Sequence, residues 1–273
     1  MGRYTLLLDV AGRVSQEATG YEFPTCAGVA LESTTLGEAR HDLVNGLPKW
    51  KASKDDDLDH ITALVCKNAL ACLVLRVAKV EPEWSALWSD AEDYCRELSS
   101  RVRRRAGFAK AAQFIRYMLF GECSGRLLGE CVKASGRPRI LDARGLGVVE
   151  ISAICDSDIQ GRENVKVFHL LWEMFEKSPQ RWLATAGLTV KVRNTALCTE
   201  QEEPLLLYAD YLAGLFHAEV APAGKPPAVT EEAIRRARLT VASKVIVVDK
   251  AFDIPYRAVY GKGEIGEHLW GSG

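Results

Sequence analysis

This chain is organised around the segment Leu205-Leu206-Leu207-Tyr208-Ala209-Asp210-Tyr211-Leu212-Ala213-Gly214-Leu215-Phe216. We predict a helix here, begun by Pro204, because apolar residues recur at helical spacing on two neighbouring stripes. Asp210 is the only charged residue among the twelve. A carboxylate is costly to bury unless a cation or a hydrogen-bond donor meets it. The segment therefore predicts a partner for Asp210, either a metal ion, an Arg or Lys, or a backbone donor; the simpler interpretation is an aspartate that faces water.

The overall composition favours no particular class of partner. The 273 residues carry 35 basic and 36 acidic side chains, so a surface for nucleic acid would have to be a local patch. A chain of this length forms a substantial core. Eight cysteines occur singly in apolar surroundings without the spacing of zinc ligands, and we interpret them as reduced core residues.

The first strand is predicted from the apolar run Tyr4–Leu8, which ends at Asp9 and a turn at Gly12. A nearly continuous apolar run fits a buried central strand. Asp9 then stands at the carboxyl end of this strand, where open α/β sheets place their ligands. The simpler interpretation is an aspartate that begins a turn. The apolar run is too short for a signal peptide or a membrane span, so we expect a cytoplasmic protein without membrane association.

The next region predicts a strand at Thr25–Leu31, paired with the first as a hairpin or meander. A basic loop with an exposed tryptophan follows at Leu47–Lys54. The acidic residues Asp55–Asp57 suit the positive end of a helix dipole, so we expect a helix there, and a further strand at Cys72–Val77. Residues 84–135 have helical periodicity, which predicts an insertion of two or three helices with breaks near glycines 107, 121 and 125.

Strands and helices alternate in the second half of the chain. We predict a strand at Val148–Cys155 followed by Asp156, a helix at Val165–Lys177, and a strand at Leu188–Arg193 before the helix of Asp210. This alternation implies parallel strands with crossover helices, and hence an α/β fold with a mixed sheet flanked by helices. Residues 1–220 would form this domain. Residues 221–273, with a Pro/Gly-rich linker, a basic helix and a strand at Val245–Val248, would form a small C-terminal extension packed on it.

Three acids stand next to the predicted apolar elements. Asp9 and Asp156 each follow a strand, and Asp210 lies on the last helix. Mg²⁺ prefers carboxylate oxygens and is often completed by the phosphates of a substrate. Carboxylates from separate strands and a helix are what a one- or two-metal phosphodiester hydrolase needs. We therefore predict that the three hold Mg²⁺ or Mn²⁺, with Asp158 and Glu150 as alternatives to Asp156.

Four segments resemble an uncharacterised family of RNase H-like domains found in bacteria and phages. Asp9-Val10-Ala11-Gly12 is similar to the Asp-Glu-Ser-Gly motif that ends the first strand of that family, and Phe23–Leu31 is similar to its second strand. Lys49-Trp50-Lys51-Ala52-Ser53 resembles a short lysine-serine motif. Leu207–Gly214 resembles the closing helix, with its Ala-Asp-x-x-Ala-Gly pattern, which is the most specific of the four. The resemblance covers about residues 4–220.

This resemblance implies an RNase H-like fold and a metal-dependent nuclease activity. Asp9 and Asp210 match motif positions, whereas Asp156 corresponds by position only. The chain departs from the family in three places, because Val10 and Ala11 replace the Glu and Ser of the first motif and Lys49 stands where the family often has an acid. A site with fewer carboxylates binds metal less tightly.

Substrate phosphates could be held by Lys51 or by the arginine run 101–105, especially Arg103 and Arg104. The simpler interpretation of that run is the cationic end of a solvated helix. His217, two turns after Asp210, could assist a proton transfer, although an ordinary surface role is the simpler interpretation. The sequence contains no phosphate loop and no Gly-x-Ser-x-Gly elbow.

Two functions therefore remain open. The first is a metal-dependent nuclease that hydrolyses DNA or RNA. The second is a catalytically inactive RNase H-like module that binds nucleic acid or a protein partner, for example in phage defence or a mobile element.

Overall fold

The computed structural model describes residues 2–12, 14, 23–43, 46–77, 84–86, 88–89, 91–93, 111–135, 141–143, 145–157 and 188–250. Within these residues a six-stranded mixed sheet has the order β5-β4-β1-β2-β3-β6. The strands are β1 Gly2–Ala11, β2 Thr25–Glu32, β3 Ala71–Val77, β4 Gly147–Asp156, β5 Leu188–Cys198 and β6 Val245–Lys250. Strands β1, β2 and β3 form an antiparallel meander, β4 and β5 continue parallel to β1, and β6 lies parallel to β3.

Helices cover both faces of the sheet. They are α1 Leu36–Asp42, α2 Asp55–Asn68, α3 Ala111–Ser135, α4 Leu206–Val220 and α5 Glu231–Val241. Helix α3 packs on one face, against β1, β2 and β3, whereas α4 packs on the opposite face against β1 to β4. Helices α2 and α5 pack against each other and against α4, so α4 is the central element of its layer.

The alternation of side chains along β1 determines which residues meet α4. Leu6 and Leu8 are buried in the core formed with α3, whereas Leu7 is buried in the core formed with α4. Successive side chains of a strand point to opposite faces. Asp9 has the same parity as Leu7 and therefore faces the α4 layer, on the same side of the sheet as Asp210.

The predicted α/β architecture is confirmed, with a mixed sheet between helical layers. The antiparallel pairing of the first two strands and the parallel pairing of β4 and β5 also agree with the sequence. Two details were wrong: α3 continues without a break through Gly121 and Gly125, and β5 extends five residues beyond Arg193. Packing of α3 against three strands outweighs the low helix propensity of its glycines. The predicted helix 165–177 lies outside the described residues.

Two further expectations concern composition. All seven cysteines that the structure describes have free thiols, and five of them are buried, as expected for reduced core residues. No described helix combines the length and the apolar character that crossing a bilayer requires.

Candidate active site

Three acids lie side by side where the parallel strands β1, β4 and β5 end. Leu8 of β1 is paired with Cys155 of β4, so the next residues, Asp9 and Asp156, come to adjacent positions. Asp156 is itself paired with Cys198, the last residue of β5, and Glu200 follows two residues later. Because side-chain direction repeats every two residues, Asp9 and Asp156 are directed to the α4 face. Glu200, in the turn after β5, lines the same cavity. Asp9, Asp156 and Glu200 are each buried, with 6–8% of their surface exposed.

Helix α4 completes the group by placing Asp210 over this end of the sheet. Asp9, Asp156, Glu200 and Asp210 all line one cavity of about 420 Å³. The remaining lining comes from the residues after Asp9, from the segment before α2, and from the chain around the end of α4: Val10, Ala11, Gly12, Lys49, Trp50, Lys51, His217, Ala221, Ala223 and Gly224. The structure thus brings together Asp9, Asp156 and Asp210, from positions up to 201 residues apart in the sequence.

The partner of Asp210 is a backbone donor. The amide N–H of Trp50 donates to Asp210 Oδ2 at 2.8 Å. Trp50 begins a short 3₁₀ turn, Trp50–Ala52, and is held by its indole, whose Nε1 donates to the carbonyl of Gly224 at 3.2 Å. The indole also packs edge-on against Tyr211 and sits so close to Gly214 that a Cβ there would overlap the ring. The expectation of an exposed Trp50 was wrong, since only 4% of it is exposed.

Lys49 supplies a positive charge within the group of acids. Its Nζ lies 2.5 Å from Glu200 Oε2. Burial lowers the pKa of Lys49, but contact with Glu200 and the charges of Asp156 and Asp210 outweigh burial, so that the pKa is raised above its ordinary value. Lys49 is therefore an ammonium ion surrounded by carboxylates at neutral pH.

The ionisation of Asp210 is disfavoured by its surroundings. Burial raises the pKa of Asp210 to about 6; the Trp50 amide and Lys49 oppose this shift, while Glu200 and Asp156 add to it. Carboxylates that repel one another in a partly buried site are stabilised when a cation binds between them.

His217 forms the wall of the cavity next to the turn after β1. It is buried rather than on the surface, contrary to the simpler sequence interpretation, and its Nδ1 lies 3.3 Å from Thr25 Oγ1. Burial lowers its pKa, so the imidazole is mostly uncharged at pH 7. Gly12 has a positive φ of 89°, and a Cβ at this position would come within 2.7 Å of His217 Cε1. The glycine is required by both its backbone conformation and this close approach.

The donor set fits a hard divalent cation such as Mg²⁺ or Mn²⁺ in its chemistry, since four carboxylates line the cavity. The described side chains do not already form a metal centre: no three His, Cys, Asp or Glu residues among them are arranged to hold an ion. Small rotations of the acids, or the oxygens of a substrate and water, would have to complete the coordination.

The other predicted site residues differ in whether they line the cavity. Lys51 is exposed and lines the cavity, whereas Arg103 and Arg104 lie outside the described residues, as does Asp158. Glu150 is not part of the cavity lining; it is buried in mid-strand and forms ion pairs with Arg3 at 3.0 Å and with Arg193 at 2.6 Å.

Glu200 is the acid that the sequence did not reveal. It follows β5 beyond the predicted end of that strand, in a polar turn whose sequence contains no functional motif. No strand pattern identifies it, because β5 ends at Cys198 and Glu200 reaches the cavity only through the turn that follows.

The fold resembles solved nuclease structures at low similarity. The crystal structure of Bst-RNase HIII in complex with Mn²⁺ aligns with a TM-score of 0.38 and 11% identity, over 98% of this chain and 65% of that chain. A mutant protein of Bst-RNase HIII aligns with a TM-score of 0.36 and 12% identity, over 98% of this chain and 64% of that one. This chain thus spans less than two thirds of either neighbour. No protein-family model and no curated protein matches the sequence.

Proposed function

We propose that this protein is a metal-dependent nuclease with an RNase H-like fold that hydrolyses phosphodiester bonds of DNA or RNA. The observation that carries the proposal is the convergence of Asp9, Asp156 and Asp210, from two strands and a helix, on one cavity. The motif resemblance of the first strand and of α4 is consistent with this function. A cytoplasmic location and nucleic acid as the partner are part of the same proposal.

Each side chain has a distinct part in the proposed reaction. Asp9, Asp156 and Asp210 would hold Mg²⁺ or Mn²⁺, which when bound supplies activation of water and charge stabilisation at the phosphate. The Trp50 amide fixes the orientation of Asp210. Lys51 at the rim would bind a substrate phosphate, with Arg103 and Arg104 as further candidates. The uncharged His217 could accept a proton within the cavity.

Nuclease assays test the proposal directly. Single- and double-stranded DNA and RNA are incubated with the protein in Mg²⁺ or Mn²⁺, and in parallel with EDTA. We expect cleavage of at least one substrate that EDTA abolishes and that Asp210→Asn reduces by roughly a hundredfold or more. Asp56→Asn is the matched control, because Asp56 is an exposed acid in the first turn of α2, remote in the chain from the acids of the cavity. Cleavage that persists in Asp210→Asn would point to a contaminating nuclease and remove the support for this function.

The second candidate is a catalytically inactive RNase H-like module that binds nucleic acid or a protein partner, for example in phage defence or a mobile element. The ion pair of Lys49 with Glu200 favours it, because the ammonium already neutralises part of the carboxylate charge. Titration calorimetry with Mn²⁺ distinguishes the two functions. Absence of binding by both the unmodified chain and Asp210→Asn would favour the inactive module, whose nucleic-acid binding would then be measured by fluorescence anisotropy in EDTA.

A further inference from the structure

The position of Lys49 bears on how many metal ions the cavity can hold. Its ammonium contacts Glu200 Oε2 at 2.5 Å and interacts electrostatically with Asp156 and Asp210. A lysine ammonium and a small divalent ion seek the same carboxylate oxygens. The two cations therefore compete for the Glu200 end of the cavity.

The backbone holds Lys49 at this position. The neighbouring Trp50 donates its amide to Asp210, and its indole is fixed between Gly214, Tyr211 and the Gly224 carbonyl. The backbone of Lys49 is thus held in place beside α4. Because the ammonium is tethered in this way, it has a high effective concentration at Glu200, and a metal ion would have to displace it.

The two ends of this ion pair differ in exposure. The side chain of Glu200 is only 6% exposed, whereas that of Lys49 is 54% exposed. A buried carboxylate without a cation or a hydrogen-bond donor is costly, and Glu200 has a positive charge in contact with it. Lys49 provides that charge without any metal.

We propose that Lys49 takes the place of a second metal ion, so that the site binds a single divalent cation through Asp9, Asp156 and Asp210 while Glu200 stays paired with the lysine. The inference rests on the proposed function for the metal site itself. It goes further by assigning the number of ions and the residue that sets it. Two-metal sites hold their ions roughly 3.5–4 Å apart. A second ion beside Asp9, Asp156 and Asp210 would draw on Glu200, the fourth carboxylate of the cavity, which Lys49 already contacts.

The test is the stoichiometry of Mn²⁺ binding to the full chain, measured by titration calorimetry and by electron paramagnetic resonance of free Mn²⁺. We expect one bound ion in the unmodified chain. In Lys49→Met we expect either a second bound ion or an affinity at least tenfold higher. Lys49→Arg keeps a cation beside Glu200 and should again bind one ion. Lys51→Met is the matched control, because Lys51 lines the same cavity but is exposed, and it should also bind one ion.

A double variant separates the ion pair from general effects of the substitution. Lys49→Met with Glu200→Gln removes both partners, and we expect it to bind one ion, as the unmodified chain does. The shift in melting temperature caused by Mn²⁺ gives an independent readout, which should be larger in Lys49→Met than in the unmodified chain, because the metal then pairs with Glu200.

The outcomes separate this inference from the proposed function. One ion bound with equal affinity by the unmodified chain and Lys49→Met would overturn the role of Lys49 and leave the metal site intact. Binding only in Lys49→Met would overturn both the single-ion stoichiometry and the metal-dependent activity of the unmodified chain. No binding in any folded variant would overturn both.

Discussion

The backbone amide of Trp50 and the carboxylate of Asp210, 160 residues apart in the sequence, are joined by a hydrogen bond of 2.8 Å. This bond links the segment before α2 to the buried helix α4. It depends on the indole of Trp50 being seated against Gly214, one turn after Asp210. The orientation of a candidate metal ligand is thus determined by packing behind it.

Gly214→Ala tests this dependence. The added methyl group would overlap the indole, so Trp50 must shift. We expect its amide to move away from Asp210 as a result. We expect a loss of stability of about 1–3 kcal/mol, as for other overpacked cores, together with weaker Mn²⁺ binding. Urea unfolding and calorimetry measure the two effects. Gly129→Ala in α3 is the control, because a Cβ there contacts nothing and should stabilise the helix by about 0.5–1 kcal/mol; an equally stable Gly214→Ala would contradict the packing argument.

Asp210→Asn should change stability and metal binding in opposite directions. In EDTA at pH 8 the folded protein carries a charge on Asp210 that its surroundings disfavour, because burial raises the pKa to about 6. Asn removes this charge and can still accept the Trp50 amide, so we expect the free energy of unfolding to rise by on the order of 1–3 kcal/mol. Mn²⁺ binding should be lost.

Both quantities are compared with Asp56→Asn, which should keep its metal binding and change stability by less than about 0.5 kcal/mol. A destabilised Asp210→Asn in EDTA would mean that the carboxylate stabilises the metal-free fold.

Glu150 should make the stability of the fold depend on acid pH. The hydrogen bond from Arg193, followed by the charges of Arg193 and Arg3, holds the pKa of Glu150 below its ordinary value. A lowered pKa in the folded state gives stability that is present above the ordinary pKa of about 4.3 and is lost as the pH falls through the folded value. Glu150→Gln should therefore be less stable than the unmodified chain at pH 7, and the difference should shrink below about pH 4.3.

Urea midpoints between pH 7 and pH 3 measure this dependence. Glu130→Gln, in the more exposed pair with Lys133, is the comparison and should have little effect at any pH. A difference for Glu150→Gln that stays constant down to pH 3 would rule out the ion pairs as its origin.

Gly12→Ala should disturb the turn after β1 in two ways. Its φ of 89° is strained for any residue with a side chain, and the new Cβ would approach His217 Cε1. Gly46→Ala isolates the first effect, since Gly46 also has a positive φ, of 66°, but open space around it. We expect Gly46→Ala to cost about 1–2 kcal/mol and Gly12→Ala about 1–3 kcal/mol more. Equal losses in urea unfolding would show that the contact with His217 can relax.

The sequence predicted the elements whose patterns are local. The apolar run of β1, the meander into β2 and the apolar stripes of α4 each depend on spacing within a few residues, and the structure has all three. The extent of β5 was underestimated because its last residues are held by pairing with β4 across a β-bulge, which no local pattern reveals. The continuity of α3 through two glycines likewise depends on its contacts with the sheet.

The residues of the candidate site could be predicted from the sequence about as well as the fold. Asp9 and Asp156 could be found because each follows an apolar run, and Asp210 because it is a single charge in an apolar helix. Glu200 and the burial of Trp50 and His217 were missed, since all three depend on neighbours that are distant in the sequence. A backbone donor was one of the predicted partners of Asp210, but the donor itself, the amide of Trp50, lies 160 residues away and has no local signal in the sequence.

The bond from the Trp50 indole to the Gly224 carbonyl has a practical consequence for anyone who wishes to shorten this protein. A fragment ending at residue 220 would lose the acceptor that seats the indole, and it would also lose β6, leaving β3 as a bare sheet edge open to aggregation. We expect such a fragment to bind Mn²⁺ more weakly than the longer chain, even though it keeps every acid of the cavity. The shortest fragment worth expressing therefore extends to Lys250.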